Sequence, residues 1–377
     1  MTIDDAANTG VALVNAHETA AAISFFFTDT GGRDVGHGSL QLPPRSQIAR
    51  FLTDSPFSAP GTFQGTWTFE SDVPVGSLAI RGTTNSRAEF IMTALPVVPL
   101  SSELSNASIA SHVVDGAGWS TQLLLVNPTD QDLNGTVEFT IDGRTPGGNT
   151  YRIAPRSLQV FETSGTAEGL QQGTARVIPI ANSPAPAAAL IESVQVNGVL
   201  VSAAGITRTS RGSAFRVYTE SLGDFEKAQP GSSETAIALM NPSESAMTVH
   251  LELMQLDGTV AAPSAAVVIA ARGHRSFLLR DVQEFSNVTP LQGVLRIWTD
   301  SGAGVFVTSF LLRYNERGDF LLTNLPSMNE SQLPVSADRI FPELAAGNGL
   351  MTRIILLDSG STTLRLYSQA GEPVGAK

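Results

Sequence analysis

Cysteine is absent from this chain, and lysine nearly so: Lys227 and Lys377 are the only two. The first absence excludes disulfides, thiolate metal sites and a cysteine nucleophile. Basic charge is scarce as well. Lys and Arg together number 23 against 35 Asp and Glu, for a net charge of −12. A polyanion is repelled by such a surface, so nucleic acid is not expected as a partner. No apolar run approaches the ~20 residues that span a bilayer, so membrane insertion is not expected either. The sequence has no His-Glu-x-x-His, no phosphate-binding Gly-Lys-Ser/Thr loop, no Gly-x-Ser-x-Gly elbow and no dinucleotide fingerprint. The expectation is a protein that is not an enzyme and has no catalytic residue, cofactor or metal. The start, Met1-Thr2-Ile3-Asp4-Asp5, lacks the basic and apolar regions of a signal peptide. The expectation is a removed signal or numbering that starts inside a longer precursor.

What is present is a repeat, which decides the fold reading before any single motif does. An apolar run closed by Asn recurs as Val11-Ala12-Leu13-Val14-Asn15, Leu123-Leu124-Leu125-Val126-Asn127 and Ile237-Ala238-Leu239-Met240-Asn241. A fourth copy, Ile354-Ile355-Leu356-Leu357-Asp358, ends in Asp; the intervals are 112, 114 and 117 residues. A second marker, Pro44-Arg45, matches Pro155-Arg156 and Ala271-Arg272, each leading into a strand that ends near Phe51, Phe161 or Phe277. The third is Gln64-Gly65, Gln172-Gly173 and Gln292-Gly293. Three markers kept in one order at one period do not arise by chance.

Within each unit the apolar period is two, as in Val137, Phe139 and Ile141 against Glu138 and Thr140, which signals strands. Asp142-Gly143 and Asp257-Gly258 predict hairpins in which both turn residues take positive φ. At 377 residues, two to four domains are expected. About seven short strands in roughly 110 residues fit an immunoglobulin-like sandwich. The predicted fold is therefore all-β: tandem immunoglobulin-like repeats at 1–98, 99–210 and 211–333, with a partial fourth at 334–377. The first repeat is expected to lack a leading strand such as Ile109 to Val114 or Phe215 to Glu220. The fourth supplies only a first half.

A half-sandwich leaves strand edges and an apolar face open, a hazard for pairing. Ile340, Phe341, Ile354, Leu356, Leu364 and Leu366 of the partial repeat, with Val11 and Leu13 of the first, are the candidate self-assembly interface. Completion by another copy through strand addition builds an open head-to-tail polymer. The alternative is a chain cut from a longer protein.

Other motifs read as ordinary surface. His17, His37, His112, His250 and His274 are too dispersed in sequence for a local metal clamp, and each reads as solvated. Asp4-Asp5 and Asp130-Gln131-Asp132 are weak calcium candidates. Arg317-Gly318-Asp319 spells an adhesion tripeptide but aligns with Arg87-Ala88-Glu89 as a hairpin tip. Asn106, Asn134, Asn287 and Asn329 head glycosylation sequons, the candidate glycan attachment points. Trp67 reads as core and Trp298 is open. Trp119 either closes one end of a core or stacks on sugar.

The stretch Gly116-Ala117-Gly118-Trp119-Ser120-Thr121-Gln122-Leu123-Leu124-Leu125-Val126-Asn127-Pro128 resembles a repeat of large secreted proteins of environmental bacteria. Ala154-Pro155-Arg156-Ser157 and Gln172-Gly173-Thr174-Ala175-Arg176-Val177 match its later strands, and Gly10 to Asn15 looks like a sister version. The third repeat departs from it, with Gln229-Pro230-Gly231 in place of the Gly-Trp signature. The resemblance implies an extracellular or cell-surface β-sandwich array without catalysis. A structural subunit of a homopolymeric filament or appendage, whose partners are copies of itself, is the leading expectation. An adhesin or glycan-binding stalk of a larger surface protein is the second, and an accessory region of a secreted hydrolase the third.

Overall fold

The computed structural model describes residues 1–100, 108–142, 148–206, 210–332, 339–345, 347, 351–357 and 363–374. They form antiparallel sheets with no α-helix among the described residues. The first unit contains β1 (Thr2–Ile3), β2 (Ala7–Val14), β3 (Ala21–Asp29), β4 (Asp34–Leu42), β5 (Gln47–Phe51), β6 (Phe63–Ser71), β7 (Gly76–Thr84) and β8 (Phe90–Leu95). They pair as two four-stranded sheets, β1-β6-β3-β4 and β5-β2-β7-β8. The second unit repeats this order with β9 (Ser108–Asp115), β10 (Trp119–Val126), β11 (Leu133–Ile141), β12 (Gly148–Ile153), β13 (Leu158–Glu162), β14 (Gln171–Pro179), β15 (Ala187–Val196) and β16 (Val199–Ile206). Its sheets are β12-β11-β14-β9 and β13-β10-β15-β16.

The third unit has β17 (Ala214–Leu222), β18 (Ser233–Met240), β19 (Met247–Gln255), β20 (Ala265–Ile269), β21 (His274–Leu278), β22 (Leu291–Trp298), β23 (Phe306–Tyr314), β24 (Phe320–Leu325) and a short β25 (Met328–Asn329). Here β17 and β18 also pair, at Ser221 with Glu234 and Leu222 with Ser233, so the two sheets join into one of nine strands. Last comes a small hairpin, β26 (Leu366–Tyr367) with β27 (Pro373–Val374).

The period-two pattern does what it predicts: β11, β19 and β22 alternate buried and more exposed positions along nearly their whole length. Two expectations are corrected. The first unit does have a leading strand, the two-residue β1, whose Thr2 and Ile3 pair with Gln64 and Phe63. Ile3 is buried and Met1 packs beside it, with the Met1 amine and carbonyl both bonded to Gly65, which holds this stub to the core. At Asp257-Gly258 only Gly258 takes positive φ, and Gln255 bonds across to Thr259. That is a three-residue loop with a glycine bulge.

Each sequence marker has a physical cause. Asn15, Asn127 and Asn241 are buried where β2, β10 and β18 end. The Asn127 amide nitrogen donates to the carbonyls of Gln131 (2.6 Å), Ile153 (3.1 Å) and Ala154 (2.9 Å), while its Oδ1 accepts from the Thr129 N–H. Asn15 serves Thr19, Leu42 and Pro43 in the same way, and Asn241 serves Ser245, Ile269 and Ala270. One buried side chain thus ties the loop after its own strand to a distant bend through their carbonyls.

The arginine of the second marker sits at the bend, at φ 54 for Arg45, 56 for Arg156 and 52 for Arg272. Its side chain turns to an acid three residues past the asparagine: Arg45 to Glu18, Arg156 to Asp130 and Arg272 to Glu244. The third marker is glycine because the paired neighbouring strand lies too close there for a side chain. A Cβ on Gly173 would lie 1.8 Å from the Thr140 carbonyl oxygen, and one on Gly65 2.0 Å from that of Thr28.

Asn127→Ala takes a donor from three carbonyls, of which that of Gln131 keeps Thr129 Oγ1 and that of Ala154 keeps the Ser157 N–H and Oγ, and is expected to cost about 2 kcal/mol. Gly173→Ala should be at least as damaging. Gly198→Ala, whose Cβ meets nothing within 4 Å, should cost only the ~1 kcal/mol of its left-handed backbone. Thermal melts of the three variants test this order.

Candidate functional site

Val11 and Leu13 are fully enclosed in the core of their own unit. Their alternation places both on the inner face of β2, so they are not a contact surface, which corrects the expectation for them. The segment after residue 338 differs. Ile340, Phe341, Leu356 and Leu364 are exposed, Leu356 at 58%, and Ile354 and Leu366 are half-buried.

Its construction nonetheless follows the repeat. In the second unit Thr121 Oγ1 donates to the Val114 carbonyl and accepts the Val114 N–H. Thr235 does the same with Glu220, and Thr352 with Ala345, both bonds there at 3.0 Å. Thr352 stands two residues before Ile354, as Thr121 stands two before Leu123 and Thr235 two before Ile237.

Among the described residues, two sets of contacts hold this segment to the rest of its chain. On the third unit, Arg353 Nη1 donates to Glu220 Oε2 at 3.1 Å. Glu220 is buried and also accepts from Ser233 Oγ (2.6 Å), Tyr218 Oη (3.0 Å) and Gln292 Nε2 (3.1 Å). Burial pushes this carboxyl toward its neutral form, but the three hydrogen bonds and the Arg353 charge outweigh burial and leave its pKa below the ordinary value. On the first unit, the Gln47 N–H donates to the Gln369 carbonyl at 3.0 Å. Gln47 Nε2 reaches the Pro342 carbonyl and, at 2.6 Å, Glu343 Oε2.

The complete units also touch one another. Arg156 pairs with Asp34 at 3.2 Å, and Thr66 Oγ1 donates to the Arg156 carbonyl. Between the second and third units the apolar core is continuous, with Phe225, Phe310, Leu312 and Leu322 joining the second unit's cluster. Trp119 belongs to that joint, edge to face with Phe320 at 5.5 Å. Trp67 packs on Phe25, Phe57 and Phe69, while Trp298 stacks on His250 and lies under Arg296. The Arg317-Gly318-Asp319 tip interlocks with its counterpart in the first unit: Arg87 to Asp319 at 3.1 Å and Arg317 to Glu89 at 3.0 Å. The calcium candidates are likewise engaged, Asp130 with Arg156 and Asp132 with Arg152.

The same joint holds groups the sequence reading placed on the surface. His112 Nδ1 lies 3.0 Å from His274 Nε2, and His112 Nε2 lies 3.8 Å from Glu192 Oε1. Glu192 is fully buried, and neither of its oxygens has a hydrogen-bond partner among the described residues. Burial pushes Glu192 up to about 8. It pushes His112 down to about 3, helped by His274, and His274 down to about 4 against the opposing charge of Asp142. The signal available in the sequence was a charged residue inside an apolar strand, as at Glu192, Glu220 and Glu234.

Of the sequon asparagines, Asn287 is exposed and Asn134 half-buried on β11. Asn329 is buried, its side chain bonded to Ser331 and to the Arg211 carbonyl, which removes it as a glycan acceptor. Asn106 lies outside the described residues. Among the described residues no group of three or more His, Asp or Glu is placed to hold a metal, and no helix is long and apolar enough to cross a membrane.

No family model matches the sequence, and no curated protein matches it. Among solved structures, an anti-sigma factor domain-containing protein aligns over 81% of this chain and 96% of its own at 8% identity, with a TM-score of 0.15. A structure of the T13 IBDV viral particle aligns over 81% and 67% at 9% identity, with a TM-score of 0.14. Likenesses at this level carry no argument about fold or function.

The buried trio sets a pH optimum. The two histidines are held below 6.5, so their contribution is present above that pH and is lost as pH falls toward 4 and 3. Glu192 is held above 4.5, so its contribution is present below that pH and is lost as pH rises toward 8. Between 4.5 and 6.5 two histidines outweigh one carboxyl; above 6.5 only the carboxyl acts. Thermal stability from these groups should peak near pH 6.5. Glu192→Gln should raise the melting temperature at pH 8 and change it little at pH 4.5.

Proposed function

We propose that this chain is a non-enzymatic structural protein of the cell exterior. In this reading it is a tandem array of immunoglobulin-like sandwiches that assembles head to tail with copies of itself through the partial fourth unit. The antiparallel two-sheet units, with one pairing order in the first two and its joined variant in the third, support the immunoglobulin-like assignment. The resemblance to secreted bacterial repeats supports the location.

The observation that carries the assembly reading is where apolar surface is left open. Met351 is 79% exposed, Leu356 58%, Leu364 50% and Phe341 48%, all within the short described stretches after residue 338. In the complete units the strands equivalent to 352–357, namely β2, β10 and β18, are flanked on both sides by neighbours. The 352–357 stretch has no strand partner among the described residues. Open edges and apolar side chains together favour strand addition.

A second reading, a glycan-binding stalk, draws on Trp298, which lies half-exposed with His250 and Arg296 on one sheet face. Trp119 favours it less, being engaged with Phe320.

Mass photometry and electron microscopy at micromolar concentration should show oligomers or fibres that shorten in Leu356→Asp. A wild-type sample that stays strictly monomeric would sink the assembly reading. A glycan-array signal lost in Trp298→Ala would move the assignment to the stalk.

A further inference from the structure

The clasp between the partial unit and the first unit repeats a contact made elsewhere in the chain. The first unit meets the second by setting the Gly32 turn of its β3–β4 hairpin on the Pro155–Arg156 corner. A Cβ on Gly32 would lie 2.9 Å from Ala154 Cβ and 3.2 Å from the Pro155 carbonyl oxygen. The β26–β27 hairpin sets its own turn on the first unit's corner: a Cβ on Gly371 would lie 2.4 Å from the Arg45 carbonyl oxygen. Gly32 and Gly371 have φ of 81 and 84, and each closes a loop of the same form, Asp29 to Arg33 and Ser368 to Glu372. Arg45 and Arg156 occupy one position of the repeat, at φ 54 and 56. A glycine turn thus rests on this corner twice, on Pro155 in one case and one position further along, on Arg45, in the other.

We propose that the Pro44–Arg45 corner of the first unit is the receptor surface for the β26–β27 hairpin of a second copy of this chain, with the hairpin seated within its own chain as the competing state. This rests on the assembly reading and names its contact. The occupant follows from the geometry: turn and corner are different surfaces of one repeat, so the fit is heterologous and can join copies as readily as units. The seat within the chain is light. The hairpin has two strands of two residues each, and Tyr367 and Val374 remain nearly half exposed. Exchange of an identical element between copies keeps every contact and adds no new one, the usual low-cost route to swapped assemblies. Arg353 on Glu220 anchors the segment to its own third unit in either state.

The absence of cysteine makes cross-linking clean. With Gln47→Cys and Gln369→Cys in one chain, oxidation should give a disulfide within the chain in dilute samples. It should give disulfides between differently tagged copies in a fraction that rises severalfold with concentration. Gln47→Cys with Leu256→Cys is the control, because Leu256 holds the matching position before the Gly258 turn, which meets nothing within 4 Å. Links confined to single chains at every concentration, or a control that links equally well, overturn the proposal. Oligomers seen by mass photometry without the disulfide between copies overturn this contact and leave the assembly reading standing. Monomers throughout overturn both.

Discussion

At the ends of β2, β10 and β18 the backbone turns against the core, and the carbonyls of two separate segments must be tied together there. A single buried asparagine side chain does this in each unit, holding the loop that follows its own strand and the bend between the fourth and fifth strands of its unit. The rest of the corner depends on it. Two residues past the pinned carbonyl, at Arg45, Arg156 and Arg272, the backbone takes positive φ, and the arginine faces the acid three residues beyond the asparagine. The corner so built is rigid and projects backbone carbonyls. The neighbouring unit's hairpin turn packs on those carbonyls at Pro155 and again at Arg45.

The joints differ in strength for a physical reason. Between the second and third units the apolar core runs through, so separating them exposes Phe310, Leu312 and Leu322. The crossed pairs of Arg87, Asp319, Arg317 and Glu89 between the first and third units are half-exposed, and ion pairs of that kind contribute ~1 kcal/mol or less each. Among the described residues, the segment after 338 is held by Arg353 on the buried Glu220 carboxylate, by hydrogen bonds to Gln47 and by the Gly371 turn on Arg45. A segment held so lightly, with its apolar residues uncovered, is suited to exchange between copies.

The repeat, its period and its all-β character were legible because strands alternate and because each marker answers a local need: a staple, a left-handed bend, a paired strand too close for a side chain. The joints were not legible. His112 and His274 are 162 residues apart, and nothing in their local pattern announces that they meet. Asn329 read as a sequon in a linker because its partners, Arg211 and Ser210, come from the far side of the third unit. Val11 and Leu13 read as interface because the first unit's stub β1 is too short to register as a strand.

The order of residues alone determined that the chain is all-β, that one pattern of strands recurs, and which residue type each marker position requires. Those are short-range demands of backbone geometry and hydrogen bonding, met within one unit. Only the tertiary structure decided which charges are buried, which hairpin tips interlock, and that the last hairpin rests on the first unit's corner. Those outcomes depend on how surfaces from distant parts of the chain fit and exclude water, and no local pattern encodes that fit.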